Sequence, residues 1–381
     1  MDNSTTDHPM SLSERNTTNR LARDLDHILT RTEPLWQELR GQRILITGAT
    51  GFFGCWLLES FAWANRRLNL KARAVGICRH PERFVEKAPH LAQDPSITVR
   101  AADVRHGEFP SGPFSHVLHA ATEASAKVNQ ETPLAMFDTI VEGTRRTLEF
   151  AARNSVHKLL FVSSGAVYGI QPPQISHVPE CFPGGPDPLS SASAYAEGKR
   201  AAELLCALAA SPELEIKLAR CFAFVGPYMK FDAHFAIGNF IADRLSNRSI
   251  QIRGDGSAVR SYLYASDLMV WLWTMLFKGQ SLRAYNIGSE EALNIATVAD
   301  KVAAALPPKV AINIAGTASP GAVIHRYVPS TARAREELGL TAEVPLNEAI
   351  RHTYAWFSGD TSHASETYKV EPAALKLGTH A

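Results

Sequence analysis

Arg43-Ile-Leu-Ile-Thr-Gly48-Ala-Thr-Gly51-Phe-Phe-Gly54-Cys-Trp-Leu-Leu58 is the stretch that decides how this chain folds. A short apolar run enters a turn with three glycines, each separated from the next by two residues, and leaves it in a second apolar segment. Residues 43–47 read as a buried strand and residues 53–65 as a helix. The turn between them suits a pyrophosphate. Backbone N–H groups at a helix N-terminus attract negative charge, and a Cβ here would hold a phosphate off. Gly48, Gly51 and Gly54, with Phe52 and Phe53, are therefore the expected contacts of a dinucleotide.

Outward from this turn the alternation continues. Strands are predicted at 43–47, 72–77, 97–101, 115–120, 158–163 and 215–221, with helices at 53–65, 133–154 and 192–210. Such alternation predicts an α/β fold with a doubly wound parallel sheet covered on both faces. Residues 1–40 form an N-terminal extension, helical from about 21 to 39, with Leu25, Ile28, Leu29, Leu35 and Leu39 on its apolar side. The dinucleotide-binding domain spans 41–225 and also receives about 258–290, which includes a helix at 266–277. Residues 226–357 form mainly a smaller α/β substrate domain, and 358–381 a polar, disordered tail.

Composition narrows the function classes. The 381 residues are 45% hydrophobic and 20% charged, with 39 Lys plus Arg against 38 Asp plus Glu. A net charge of +1 gives no general polyanion surface, so neither nucleic acid nor a membrane is an expected partner. The polar start lacks a secretory layout, and the longest apolar run, 268–277, is half a membrane span. The five cysteines form no CxxC and no metal spacing; they read as free thiols, and a cytoplasmic location is expected. No metal site is expected among the histidines either.

The end of the second strand selects the cofactor. A carboxylate there would hold a ribose 2′-hydroxyl, whereas an arginine suits a 2′-phosphate. Here stands Cys78-Arg79-His80-Pro81, which favours NADP over NAD. Asp103, after the third strand, suits the adenine amino group or a turn cap equally.

Tyr195-Ala-Glu-Gly-Lys199 opens a helix, and residues four apart share a face. A tyrosine titrates near 10, too high for a base at neutral pH. A cation at about 4 Å is worth up to about 4 kcal/mol at an effective dielectric of 20, which would lower that value by up to about three units. Ser164, at the carboxyl end of the 158–163 strand, faces the crevice where open α/β sheets bind ligands. It can share a hydrogen bond with a substrate oxygen while Tyr195 moves a proton.

In this order, these motifs resemble the extended short-chain dehydrogenase/reductase family, in its nucleotide-sugar epimerase/dehydratase branch. The resemblance also rests on His119-Ala-Ala121, Glu142-Gly-Thr144, Ser163-Ser164-Gly-Ala-Val-Tyr-Gly169 and Arg220-Cys-Phe-Ala-Phe-Val-Gly-Pro227. Further on it rests on Gly254-Asp-Gly256 with Arg260-Ser-Tyr-Leu-Tyr264, and on Ala334-Arg-Glu-Glu-Leu-Gly339. It covers about residues 41 to 357. It implies a Rossmann-like domain, NADP or NAD as cofactor, a nucleoside-diphosphate sugar as substrate, and a homodimer paired through helices 133–154 and 192–210. It further implies Tyr195 as base, Lys199 on the nicotinamide ribose, and Ser164 on the substrate. Val104, Ala120, Ala121, Thr122 and Phe222 would line the cofactor. Glu123, Gly165, Arg260 and Arg326 would face the substrate, the arginines pairing its diphosphate.

Where the family's dehydratases and decarboxylases carry an acid in the serine loop, this chain has Gly165 and Ala166. That favours C4 epimerisation, with a 4-ketoreductase second and a 4,6-dehydratase or an idle cofactor-sensing protein behind. The family's Asn positions are Ile140 and Ala223, and Ser319 stands where an Arg is usual, which weakens the carry-over to Arg326. His119 reads as packing beneath the cofactor, and Trp271-Leu-Trp273 as core.

Overall fold

A computed structural model of the chain describes residues 19–122, 126–231, 235–317, 321 and 323–359. Helix α1 (Ala22–Thr32) and a 3₁₀ turn (Glu33–Leu39) lead into strand β1 (Arg43–Thr47). The predicted helix over 21–39 is thus broken in two, because Pro34 lacks the N–H that would continue it. Next come α2 (Phe52–Arg67), β2 (Arg73–Cys78), α3 (Pro81–Lys87), α4 (Pro89–Ala92), β3 (Ile97–Ala101) and β4 (His116–His119). Helices α5 (Ala126–Glu131) and α6 (Pro133–Arg153) precede β5 (Lys158–Ser164), and α7 (Ala194–Ala209) precedes β6 (Glu215–Cys221).

Short pieces follow: β7 (Phe224–Val225), α8 (Ala236–Leu245), β8 (Ile250–Ile252), β9 (Val259–Arg260) and β10 (Leu263–Tyr264). Helix α9 (Ala265–Lys278) then returns the chain to the sheet as β11 (Ala284–Ile287). Beyond it lie β12 (Leu293–Asn294), α10 (Ile295–Ala305), β13 (Ile312–Ile314), β14 (Arg326–Tyr327), α11 (Ala332–Leu338) and α12 (Leu346–Ser358).

Seven strands make one sheet in the order β11-β6-β5-β4-β1-β2-β3, and every adjacent pair is parallel. This is the Rossmann-like, doubly wound arrangement. The order reverses between β1 and β4, so the carboxyl ends of these two strands open the crevice where a ligand fits. The central strands carry unbroken apolar runs because both faces are covered: Ile44, Leu45 and Ile46 are fully buried. On one face lie α2 and α9, buried along most of their lengths, and on the other α6 and α7. The seventh strand, β11, was not foreseen; four residues with one aromatic give no periodic signal.

The N-terminal extension is integral to this body. Tyr264 donates to Asp24 at 2.9 Å, His27 meets Asp267 at 3.2 Å, and Arg20 donates to the carbonyl oxygens of Ala355 and Trp356. Glu38 meets His116 and Lys158 at the amino ends of β4 and β5. The smaller C-terminal part packs α8, α10 and α12 around Val225, Ile241, Val298 and Ile350. Its three-stranded sheet, β12-β9-β14, faces the carboxyl end of β5 through Tyr327. Among the described residues no helix is long and apolar enough to cross a membrane. The tail from 360 on lies outside the described residues.

Candidate active site

Three glycines in the β1–α2 turn have three different causes. Gly48 has φ +68°, and a Cβ on it would lie 2.6 Å from the Ala120 carbonyl oxygen. A Cβ on Gly54 would lie 2.3 Å from the Gly48 carbonyl oxygen, so this glycine lets α2 close against the turn. At exposed Gly51 a Cβ would meet only the Gly48 carbonyl oxygen, at 3.4 Å, and its φ of −75° suits any residue. Nothing in the chain itself requires that glycine. Gly51 also caps α2 with no side-chain hydrogen bond, leaving the helix N-terminus to an outside acceptor. These residues fit a dinucleotide pyrophosphate. Phe52 and Phe53 follow as the first turn of α2, their rings edge-to-face.

Arg79 is exposed at the end of β2. Asp103 accepts from the Arg105 backbone N–H and from its guanidinium, which hold the carboxyl down at about 2. It caps its own turn. Val104 is buried next to it, against Gly143.

At the end of β4, His119 is buried and held by threonines. Thr47 Oγ1 lies 2.6 Å from its Nδ1 and accepts the Ala121 N–H at 3.2 Å; Thr144 Oγ1 lies 3.1 Å from its Nε2. Thr144 gives its own proton to the Ile140 carbonyl, so Nε2 carries the hydrogen and Nδ1 accepts. Burial, and secondarily Lys199, push His119 down to about 3. It is a neutral strut fixing Ala120 and Ala121 over the turn, and not an acid or base.

Lys199, Tyr195 and Ser164 converge at the ends of β4, β5 and α7. Lys199 is buried; its Nζ donates to the Val162 carbonyl oxygen at 2.6 Å and to Thr122 Oγ1 at 2.9 Å. Burial pushes it down to about 8, while charge on Glu203 acts the other way. The four-residue spacing brings this ammonium over the Tyr195 ring, 6.0 Å from its centroid, and not against the phenol oxygen. The expected lowering is therefore not what the structure gives. Burial raises the Tyr195 phenol to about 12, with the hydrogen bond to Ser164 opposing. Ser164 Oγ accepts the Ala166 N–H at 3.1 Å, which leaves its proton to donate.

Gly165 cannot carry a side chain: a Cβ would lie 2.6 Å from the ring of Phe222. Phe222 in turn stacks on Tyr327, ring centroids 4.6 Å apart. Tyr327, absent from the sequence-based set, lies with its phenol oxygen 3.4 Å from Ser164 Oγ. The β9–β14 register sets Tyr327 beside Arg260, so both point to the same side; Arg326 pairs with Val259 and points to the other. Arg260 donates to the carbonyl oxygens of Val259 and His325. Glu123 lies outside the described residues.

Two further residues escaped the sequence reading. Glu203 chelates Arg220, with contacts of 3.0 and 2.7 Å, and accepts from Ser163 at 2.5 Å. Its place four residues after Lys199, itself four after Tyr195, was a signal that could have found it. Asn129 accepts the Tyr195 backbone N–H at 3.0 Å and so fixes the start of α7; no local pattern marks it. Among the described residues no cluster could hold a metal ion.

UDP-glucuronic acid decarboxylase 2 of Arabidopsis thaliana is 27% identical over 323 residues, 83% of this chain and 68% of that protein. The structure of DesIV, a dTDP-glucose 4,6-dehydratase from Streptomyces venezuelae with NAD and TYD bound, superposes with a TM-score of 0.70 at 21% identity, over 84% of this chain and 97% of that one. The UDP-N-acetylglucosamine 4-epimerase of Methanobrevibacter ruminantium M1 gives 0.70 at 20%, over 84% and 98%. The NAD dependent epimerase/dehydratase family profile matches residues 44–288, and with its glycine turn and its Ser-Tyr-Lys site this chain is an enzyme of that nucleotide-sugar epimerase, dehydratase and decarboxylase family.

Proposed function

We propose that the protein is an NAD(P)-dependent nucleotide-sugar epimerase that works by transient oxidation at the sugar C4. The observation that carries this reading is the serine loop. Ser164, Tyr195 and Lys199 meet at the crevice, while position 165 has no room for a side chain and position 166 is an alanine. Loss of water from the sugar needs an additional acid and base, which positions 165 and 166 do not supply.

The dinucleotide would lie on Gly48, Gly51, Phe52, Phe53 and Gly54, against Val104, Ala120, Ala121, Thr122 and Phe222. When bound it supplies a hydride acceptor and a positive charge beside the phenol. Tyr195 takes the C4 hydroxyl proton and returns it after the sugar has turned. Lys199 would hold the nicotinamide ribose beside the Tyr195 ring, and the hydrogen bond from Ser164, which lowers Tyr195 against its burial, passes to the sugar oxygen and holds it at Tyr195. Arg260, on the side of Tyr327, meets the diphosphate. Positioning accounts for much of the rate. A homodimer through α6 and α7 is supported by the exposed leucines 134, 204 and 208 on these helices.

One observation favours a second reading, reduction of a 4-keto-6-deoxy nucleotide sugar by NADPH: Arg79 stands where a carboxylate would hold NAD. Denaturing the purified protein and identifying released dinucleotide separates the two. Stoichiometric dinucleotide, with C4 epimer formed from UDP- or dTDP-hexoses and no net change in reduced cofactor, is the expected result. An empty protein that oxidises NADPH only with a 4-keto nucleotide sugar would overturn it.

A further inference from the structure

Tyr195 lies in the first turn of α7, where backbone N–H groups have no acceptor within the helix. The residue placed to cap them is Ser193. Serine is among the preferred caps, yet this one makes no side-chain cap hydrogen bond. The cap comes from another helix. Asn129, half-buried in α5, accepts the Tyr195 N–H on Oδ1 at 3.0 Å and donates from Nδ2 to the Ala192 carbonyl oxygen at 2.9 Å.

That carbonyl and that N–H have the i to i+3 separation at which a 3₁₀ turn closes on itself. Ser191–Ser193 is such a turn, directly before α7. One carboxamide therefore sits where the short turn passes into the helix, and its two ends fix the backbone there. A carboxamide carries a donor and an acceptor on one planar group, so it holds both at once. The same connection between β4 and α6 serves Lys199. Its Thr122 accepts from Nζ at 2.9 Å and gives its own proton to the Ala121 carbonyl oxygen. Lys199 has a second anchor in the Val162 carbonyl oxygen on β5. A disturbance at Asn129 thus reaches Tyr195 and leaves the lysine held.

We propose that Asn129 is a positioning residue for the reaction, its carboxamide setting where the Tyr195 phenol stands against Ser164 and the reacting oxygen. The inference rests on the role given to Tyr195 and on neither the sugar nor the cofactor preference.

Asn129→Ala removes both bonds while keeping a good helix former in α5. In the full-length protein it should lower kcat by about 10- to 100-fold, the scale of a reacting group displaced by about 1 Å. KM and dinucleotide affinity should stay within about twofold, as for an interaction that acts only in the transition state. In a Tyr195→Phe background the same change should have no further effect on the residual rate. Asn129→Asp, which still accepts the Tyr195 N–H, should recover most of the loss. A second readout needs no sugar: the tyrosinate absorbance that Tyr195→Phe removes, titrated with saturating NAD⁺ or NADP⁺. In Asn129→Ala it should appear at higher pH, because the phenol loses the Ser164 hydrogen bond that opposes its burial. Should Asn129→Ala not fold, Asn129→Gln carries the same carboxamide one methylene further out and should move both readouts the same way. Unchanged kcat, an unchanged titration, or a loss that persists in full without the Tyr195 hydroxyl would each overturn the inference. A fully active Tyr195→Phe protein refutes the role given to Tyr195; an inactive one beside an unimpaired Asn129→Ala refutes this inference alone.

Discussion

Two buried lysines, Lys199 and Lys217, answer the same electrostatic problem in opposite ways. Lys217 is 0% exposed in β6, and its ammonium meets the Glu215 carboxylate and the Gly279 carbonyl oxygen. Lys199 is 3% exposed and, among the described residues, donates to a hydroxyl and a carbonyl. A carboxylate does lie one turn further along α7, but Glu203 is already chelated by Arg220 and bonded to Ser163. The neutralised lysine lies in the first half of its strand, away from the crevice; the uncompensated one lies where strand ends open to ligand. An isolated buried charge is costly, and a fold retains one where the charge acts on something that arrives.

The largest test of that contrast is Lys199→Met. Loss of the charge beside Tyr195 should lower kcat/KM by about a thousandfold or more. The same change should raise the thermal midpoint by about 2–4 °C near neutral pH, since the burial penalty outweighs the two hydrogen bonds lost by roughly 1 kcal/mol. The sign follows from linkage. The folded-state value, about 8, lies below the unfolded one, so the penalty is full below pH 8 and fades as pH rises toward the unfolded value. The stability advantage of the variant should shrink across that window. A variant less stable than the parent at every pH would mean that Lys199 is a structural residue like Lys217.

Glu203→Gln comes next. It leaves a mostly buried Arg220 unpaired and should cost about 3 kcal/mol in denaturant unfolding. It also removes a charge that raises Lys199, so the alkaline limb of the kcat/KM profile should move to lower pH. A purely structural glutamate would lower stability and leave that limb in place.

How much of this could be read from sequence depends on the range of each contact. The β1–α2 turn was legible because three glycines, an apolar strand and an apolar helix are contiguous. Tyr195 and Lys199 were legible because helical spacing is local. Spacing could not say where the ammonium would rest: Val162 and Thr122, from two other segments, draw it away from the phenol oxygen. Tyr327 was invisible because a two-residue strand delivers it to Ser164 across 163 positions. The packing of Phe222 against Gly165 was equally hidden, yet it gives the missing acid a physical cause: the ring fills the place of a side chain.

The smallest effect is expected from Glu215→Gln, the counterpart of Glu203→Gln at the scaffold lysine. Glu215 is 45% exposed on its side chain, so solvent screens the pair and water can stand in for part of the carboxylate. The Gly279 carbonyl continues to accept from Lys217, and the glutamine oxygen can accept as well. Unfolding free energy should therefore fall by about 1 kcal/mol or less, and the kinetic constants and their pH dependence should not change. Measured beside Glu203→Gln, the pair isolates what proximity to the crevice adds: the same chemical change next to two buried lysines, with only one expected to move a catalytic titration. If Glu215→Gln shifts the alkaline limb as far as Glu203→Gln does, the limb reports global stability and not Lys199, and the contrast between the two lysines fails.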